Sequence, residues 1–394
     1  MIRSSALYIS LIVSLLILMI CGGMLLIGYT YRMQDRKQER MLRLRRNLDS
    51  GRELLLLQTF KADTSMRISL FTDADSTLTD SVALEKRSWG LYEMGTVRTW
   101  QAGDTLSKSF LMAAAMEDAL QVFYLADEDR PVSISGKSKI RGTAYLPKSG
   151  IKAAYVGGSG YADKTLVYGR ILESGRTLKS TDSLAWNQLV SWISGLDRSK
   201  YEAHVRLSSE RKQEIIVADS SITVDASARL AHVILVAPYI HIESNFEGSL
   251  QALASDSIST GARVKLRYPS ALAVLKPDTA GYQVRIRLGQ ENLLEGQAIA
   301  YEKKRSQQMP VLEIGASSLV KGELWSRGYV TLGKNSRVEG AVSAIRLLSR
   351  IEGAIYENYL IDVTLDRPAL SKYYLSNRLI QSTKKKNKVL CWLN

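Results

Sequence analysis

Residues 320–355 read VKGELWSRGYVTLGKNSRVEGAVSAIRLLSRIEGAI. One five-residue unit recurs within them: an apolar residue, any residue, Gly, any residue, then an apolar or small one. It appears as Val320–Leu324, Val338–Val342 and Ile351–Ile355, whose starts lie 18 and then 13 residues apart. The same unit occurs upstream as Ile140–Ala144, Phe246–Leu250 and Leu294–Ala298. Spacing of this kind matches one coil of a β-solenoid, in which short strands stack their inward residues on the coil below. A turn must follow each strand, and Gly supplies the positive φ that a tight corner needs. Gly142, Gly248, Gly296, Gly322, Gly340 and Gly353 are therefore the expected turn glycines.

The segments between these units fit the same pattern. Ser221–Asp225, Val233–Val236, Tyr239–Glu243, Ser257–Thr260, Val264–Arg267 and Tyr329–Leu332 each read as a short strand. A β-sandwich also yields many short strands with Gly turns and stays open as the alternative. The aromatic content is 19 Tyr against 5 Phe, which suits strands that keep a polar tip in water. The expected fold is mainly β: a solenoid over 131–365, with an insertion near 186–211 that carries a short helix around Asn187–Ile193. Residues 60–130 read as a mixed α/β region, with Phe110–Leu125 part helix and part strand. Ile361–Leu365 reads as the final strand, and residues 366–394 as a cap with a short helix and a basic tail.

The stretch Val320–Ile355 resembles the polymer-forming β-helix of bactofilins, cytoskeletal scaffold proteins that stack end to end. That resemblance implies a structural role and self-association.

The N-terminus carries a different signal. Ala6–Tyr31 reads ALYISLIVSLLILMICGGMLLIGYTY, 26 residues without a charge. At about 1.5 Å per residue it exceeds the roughly 30 Å hydrocarbon core of a bilayer. The expected transmembrane helix includes Ala6, Tyr8, Leu16, Cys21, Leu26 and Tyr31, with Tyr8, Tyr29 and Tyr31 near its ends, where amphipathic rings favour the interface. A cleaved signal peptide is the rival, but the run is longer than a usual apolar signal region and no small-x-small site ends it. Residues 1–31 are thus leader and anchor. Residues 32–59 read as a basic amphipathic helical stalk, with Leu42, Leu44, Leu48, Leu54, Leu55 and Leu57 recurring among charges. Gly51 is the expected weak point of that stalk.

A short basic leader, an immediate apolar helix and an amphipathic continuation resemble the N-termini of minor type IV pilins and type II secretion pseudopilins. Ser4-Ser5-Ala6-Leu7 stands where their cleavage-site motif would fall. The resemblance implies a single-pass protein whose body lies outside the cytoplasm. Charge argues the reverse. Seven basic residues against two acids lie between Arg32 and Arg46, and the positive-inside rule would place the body on the cytoplasmic face. The extracytoplasmic placement is the expectation; the cytoplasmic face is the alternative.

The formal net charge is +14, with clusters at Arg32–Arg52 and at Lys384, Lys385, Lys386 and Lys388. Juxtamembrane basic clusters point to lipid headgroups, so the lipid bilayer is the first expected partner. No basic-aromatic stacking motif supports nucleic acid. The two cysteines, Cys21 and Cys391, cannot build a disulfide framework; Cys391 reads as an ordinary thiol or an intermolecular bridge.

No motif for chemistry emerges. His204, His232 and His241 lack metal-ligand spacing, so no metal and no cofactor are expected. There is no nucleophile elbow, no phosphate-binding loop and no dinucleotide fingerprint, and Gly157–Gly160 reads as a plain loop. Asp219, Asp225 and Asp256 are the carboxylates a saccharide-cleaving β-helix would use, yet none forms an adjacent pair. The expectation is no enzyme and no small-molecule substrate. The expected function is a membrane-anchored structural or assembly protein that makes protein–protein contacts or self-associates. A glycan-binding or polysaccharide-active envelope protein is the alternative.

Overall fold

The computed structural model describes residues 2–57, 63–69, 81–101, 103–115, 120–178, 183–196, 201–276, 281–351, 353–377, 379–380 and 387–393. The chain is mainly β, with one long N-terminal helix. It divides into two units. The first comprises Met1–Arg87, Met94–Phe110 and Cys391–Asn394; the second comprises Ser88–Glu93 and Leu111–Leu390.

In the first unit one helix runs unbroken over Ile2–Leu56. No proline interrupts it, and its two halves have different surroundings. Leu44, Leu48, Leu55 and Leu56 are buried, as are Asn47 and Gly51. Their three- and four-residue spacing puts them on one helical face. Each leucine buried in this way contributes about 2 kcal/mol. That face meets an antiparallel sheet. Its strand Thr64–Ile68 pairs with Ser81–Trp89 through Thr64↔Lys86 to Ile68↔Val82, and Tyr92–Gln101 and Asp104–Ala115 follow in order. Gly51 sits where helix and sheet come closest: a Cβ there would lie 2.7 Å from Val97 and 2.9 Å from Leu84. The expected weak point is thus a packing position, a correction that only the sheet makes visible. Arg40 pairs with Asp104 at 3.0 Å, and Trp392 packs edge-on against Phe110.

The described part of 60–130 contains strands and no helix, which corrects the mixed α/β expectation. The misleading run was Phe110–Leu125. Phe110, Leu111, Met112, Ala113 and Ala114 are all buried, so both strand faces are covered and the period-two signal disappears.

The second unit is built from parallel strands in three tracks. In the first, Gly248 pairs with Leu266, Leu266 with Leu294, Leu294 with Val320, and Val320 with Val338. In the second, Leu253 pairs with Ala273, Ala273 with Ile299, and Ile299 with Trp325. In the third, Ile240 pairs with Ile258, Ile258 with Ile286, Ile286 with Leu312, and Leu312 with Val330. Inward residues of all three tracks share one core, among them Leu266, Leu294, Val320, Val338, Leu272, Ala298, Ile286 and Leu312. At one corner six successive layers carry a residue in the left-handed region: Asn245, Arg263, Glu291, Ser317, Asn335 and Asp362. Such residues let the chain turn sharply between tracks.

Spatial order departs from chain order. Phe123, Tyr124 and Leu125 pair with Val342, Ser343 and Ala344, and Lys139–Arg141 pairs with Thr364–Asp366. Strands from the first half of the unit therefore extend the stack beyond its last residues. Ile171–Glu173 lies next to Ala144–Leu146, while His204–Leu207 lies next to Ser221–Val224. Between these two places runs the helix Ser183–Ser194. The insertion expected near 186–211 is correspondingly shorter, because His204–Leu207 and Glu210–Lys212 are ladder strands. Glu210–Lys212 is exposed throughout, so its sequence lacks an apolar alternation.

The expected C-terminal helix is also absent among the described residues. Leu375–Ser376 is a strand pairing with Ala115 and Ala114, and Asn387–Leu393 is another strand. Tyr374, Leu375, Ser376 and Asn377 are buried, which fixes an extended path. Residues 384–386 of the basic tail lie outside the described residues; Lys388 is exposed.

Candidate functional site

The membrane-directed half of the first helix is built for contact with something apolar. Tyr8, Leu16, Cys21, Leu26 and Tyr31 are exposed, and Ala6 lies in the same helix. The helix is long and apolar enough to cross a membrane, and its apolar window has no buried residue. Three of its aliphatic hydroxyls are satisfied internally. Ser10, Ser14 and Thr30 each donate to the carbonyl three residues back, at 2.9 Å. In hydrocarbon there is no water to do so, and an unpaired hydroxyl would be costly. Beyond Tyr31 the same helix turns basic and then lays its leucines on the sheet of the first unit.

The expected turn glycines separate into groups. Gly296, Gly322 and Gly340 form one column, paired across successive strands, with φ of +151°, +148° and +153°. A Cβ on Gly340 would run into the Gly322 carbonyl oxygen, one on Gly322 into that of Gly296, and one on Gly296 into that of Ser270. Gly142 plays the same part beneath Gly169. Gly248 lacks the positive φ and is held small by the Phe246 ring and the Leu230 carbonyl. Gly353 lies apart, in the turn joining the antiparallel pair Ile351↔Ala354. A second column was missed in the sequence: Gly261, which abuts Ser244, then Gly289, Gly315 and Gly333, each of these three against the glycine before it. Its signal was present, since these positions follow the same unequal spacing as the strand registers.

Charged side chains on the first track form an alternating ladder. Arg267 pairs with Glu247 at 2.7 Å and Glu295 at 3.7 Å, and Lys321 with Glu295 at 3.1 Å. Arg337 pairs with Glu339 at 3.0 Å and Asp366 at 3.5 Å, and Asp366 reaches Arg141 at 3.2 Å. The hydrogen bond from Arg267 holds the Glu247 carboxyl below the usual carboxylate range. The Arg267–Glu247 pair is exposed and contributes little stability, whereas the Asp366 carboxylate is buried. The ladder fixes outward chemistry, and the Asp366–Arg141 pair joins early and late parts of the chain. A second cluster does the same: Glu128 takes Arg305 and Arg346, and Glu357 takes Arg130 and Arg346. Burial pushes the Glu128 carboxyl up, but hydrogen bonds from Arg346 and Arg305 outweigh it and hold it below its ordinary value.

The residues singled out for chemistry are dispersed. His204 and His241 meet Ser221 and Ser259 through Nδ1, both at 2.8 Å. His232 is half-buried, and burial lowers its pKa. The Asp225 carboxylate is engaged by Arg206 at 2.8 Å. Tyr239 donates to Asp256, which raises the tyrosine's pKa. Asp219 donates its backbone N–H to the Glu202 carbonyl at 3.1 Å. Gly157 and Gly158 lie in the turn closed by the Val156–Ser159 bridge. Among the described residues no group of three His, Cys, Asp or Glu is placed to hold a metal ion. Both cysteines are free thiols, Cys391 half-buried.

No protein-family model matches the chain, and no curated protein matches it. Among solved structures, the competence-associated pilin ComZ from Thermus thermophilus is similar over 91% of this chain and 95% of that one, at 10% identity and a TM-score of 0.24.

Proposed function

We propose that the chain is a single-pass, membrane-anchored structural protein of an envelope assembly, pilus-like or secretion-like, or a scaffold. One observation carries this reading: a single helix holds exposed apolar side chains over Leu7–Tyr31 and, without a break, docks its far end on a sheet. A mechanical link of that kind transmits the position of the body to the bilayer. The parallel registers support reading 131–365 as a β-solenoid, because each track steps from layer to layer with the same partners in order. A solenoid of this sort is stiff, since every layer is hydrogen-bonded to the next. Its outward tyrosines and arginines suit protein contacts, and self-association is part of the proposal. No catalytic role is assigned, because Asp225 and Asp256 are already engaged.

The body is placed outside the cytoplasm, in line with the pilin-like leader, with the cytoplasmic face as the alternative. A pair of reporters fused after Asn394 tests this, one active only outside the cytoplasm and one only within it. Activity of the first alone supports the envelope assembly. Activity of the second alone removes it and leaves the cytoplasmic scaffold.

A further inference from the structure

A groove of about 480 Å³ opens on the charge ladder of the second unit. Its floor draws on four successive strands of the stack: Glu295, Lys321 and Glu339 in register, and Tyr268 at the irregularity of the strand before them. At about 4.8 Å per rung they span about 14 Å. Its wall is the C-terminal segment through Leu370 and Tyr373. The wall is fixed rather than loose. Tyr374 donates its hydroxyl to the Gly296 carbonyl at 3.1 Å. Tyr268 and Leu375 exchange hydrogen bonds, hydroxyl to carbonyl at 3.0 Å and amide to hydroxyl at 3.2 Å.

We propose that this groove binds a short stretch of neutral glycan, because it sets an exposed tyrosine ring beside a floor of alternating carboxylate and ammonium groups. Tyr373 is 78% exposed, with the Lys372 ammonium 5.2 Å from its ring centroid and one ring face left to solvent. A sugar ring lays its C–H face on such a tyrosine, as other apolar faces do. Its hydroxyls both donate and accept, which matches Glu295, Lys321 and Glu339 in turn. The length suits about three sugar residues.

Other occupants fit less well. Glu295 is balanced by Lys321 and Arg267, and Glu339 by Arg337, so the floor favours neither a cation nor an anion. An extended peptide would add to an open strand edge. Here the strands carrying Tyr268, Glu295, Lys321 and Glu339 are paired on both sides. Large apolar anchor pockets are also missing from the lining, where Leu370 is the largest aliphatic side chain.

The test uses the full chain in lipid nanodiscs, which avoids sugar-headed detergents. Chitotriose, maltotriose and a lysine–alanine hexapeptide are titrated by calorimetry, with saturation-transfer NMR on the sugars. Saturable binding of at least one trisaccharide is expected, weakened about tenfold by Tyr373→Ala and by Lys321→Gln and retained by Tyr373→Phe. Tyr373 is so exposed that its loss leaves the fold intact, which circular dichroism checks. Absence of saturation by both sugars up to millimolar concentration overturns the proposal. So does sugar binding that neither variant weakens, or saturation by the peptide while the sugars stay inert. None of these outcomes depends on the membrane anchor.

Discussion

Trp186 lies flat on Tyr301, with ring centroids 3.9 Å apart and planes 5° from parallel. Trp325 continues the stack, 6.0 Å from Trp186. Trp186 belongs to the helix that carries the chain between two distant layers of the second unit, and it is only 1% exposed. We expect Trp186→Ala to cost about 3 kcal/mol in a urea unfolding series, in line with other buried aromatic deletions. Trp186→Phe, which keeps a ring over Tyr301, should recover most of that loss. Equal stability of wild type and Trp186→Ala would show that the helix is not docked.

The glycine column makes a sharper contrast. Gly322→Ala places a methyl group against the Gly296 carbonyl and strains a φ of +148°. Gly353→Ala also has a positive φ, but its methyl would meet open space. Gly322→Ala should therefore lose about 2 kcal/mol or more, and Gly353→Ala about 1 kcal/mol. The midpoints of two chemical denaturation curves decide the order. A reversed order contradicts the stacking.

The long helix has two kinds of glycine. Gly51→Leu would drive a side chain into Val97 and Leu84, whereas Gly23 has nothing within 4 Å. The first substitution should raise protease sensitivity of the first unit, and Gly23→Leu should leave it unchanged. Limited proteolysis of membrane-embedded protein reads both.

Glu128 gives a pH dependence with a definite sign. Its carboxyl titrates below the ordinary value of 4.5 in the folded chain. A group depressed in this way stabilises the fold fully above its unfolded value, and that stabilisation disappears as pH falls through the folded one. Stability should decline on acidification below about 4.5, and Glu128→Gln should flatten part of that decline. Arg305, Arg346, Arg130 and Glu357 face the same cluster, so Arg346→Gln should flatten it too. Urea midpoints from neutral pH downward measure the slope.

A catalytic role for Asp225 would require it to leave Arg206. Trisaccharides incubated with the full chain should be recovered intact, and Asp225→Asn should change nothing in their chromatograms. Cleavage lost in Asp225→Asn would assign the chain to the saccharide-cleaving enzymes instead.

Legibility in the sequence followed locality. The apolar helix was visible because Ala6–Tyr31 lacks any charge, and its continuation because the leucines near Leu44 and Leu55 recur at helical spacing. The glycine column at Gly296, Gly322 and Gly340 showed through its repeated unit. Pairing of Phe123–Leu125 with Val342–Ala344 did not, because parallel contacts across more than two hundred residues leave no local pattern. The run around Phe110–Ala115 misled for a related reason: strands covered on both faces lose their alternation. The second column, Gly261 to Gly333, went unread because its glycines lack the flanking five-residue unit that marks the first. The groove depends on Tyr373 and Glu295 lining one space, and nothing near either residue in the chain announces the other.

Everything proposed about location depends on one helix leaving water. The direct measurement is the partition of the intact 394-residue chain after lysis without detergent. It should sediment with membranes, resist alkaline carbonate and be released by detergent, while a chain lacking residues 1–31 stays in solution. Full-length protein in the soluble fraction would contradict the account.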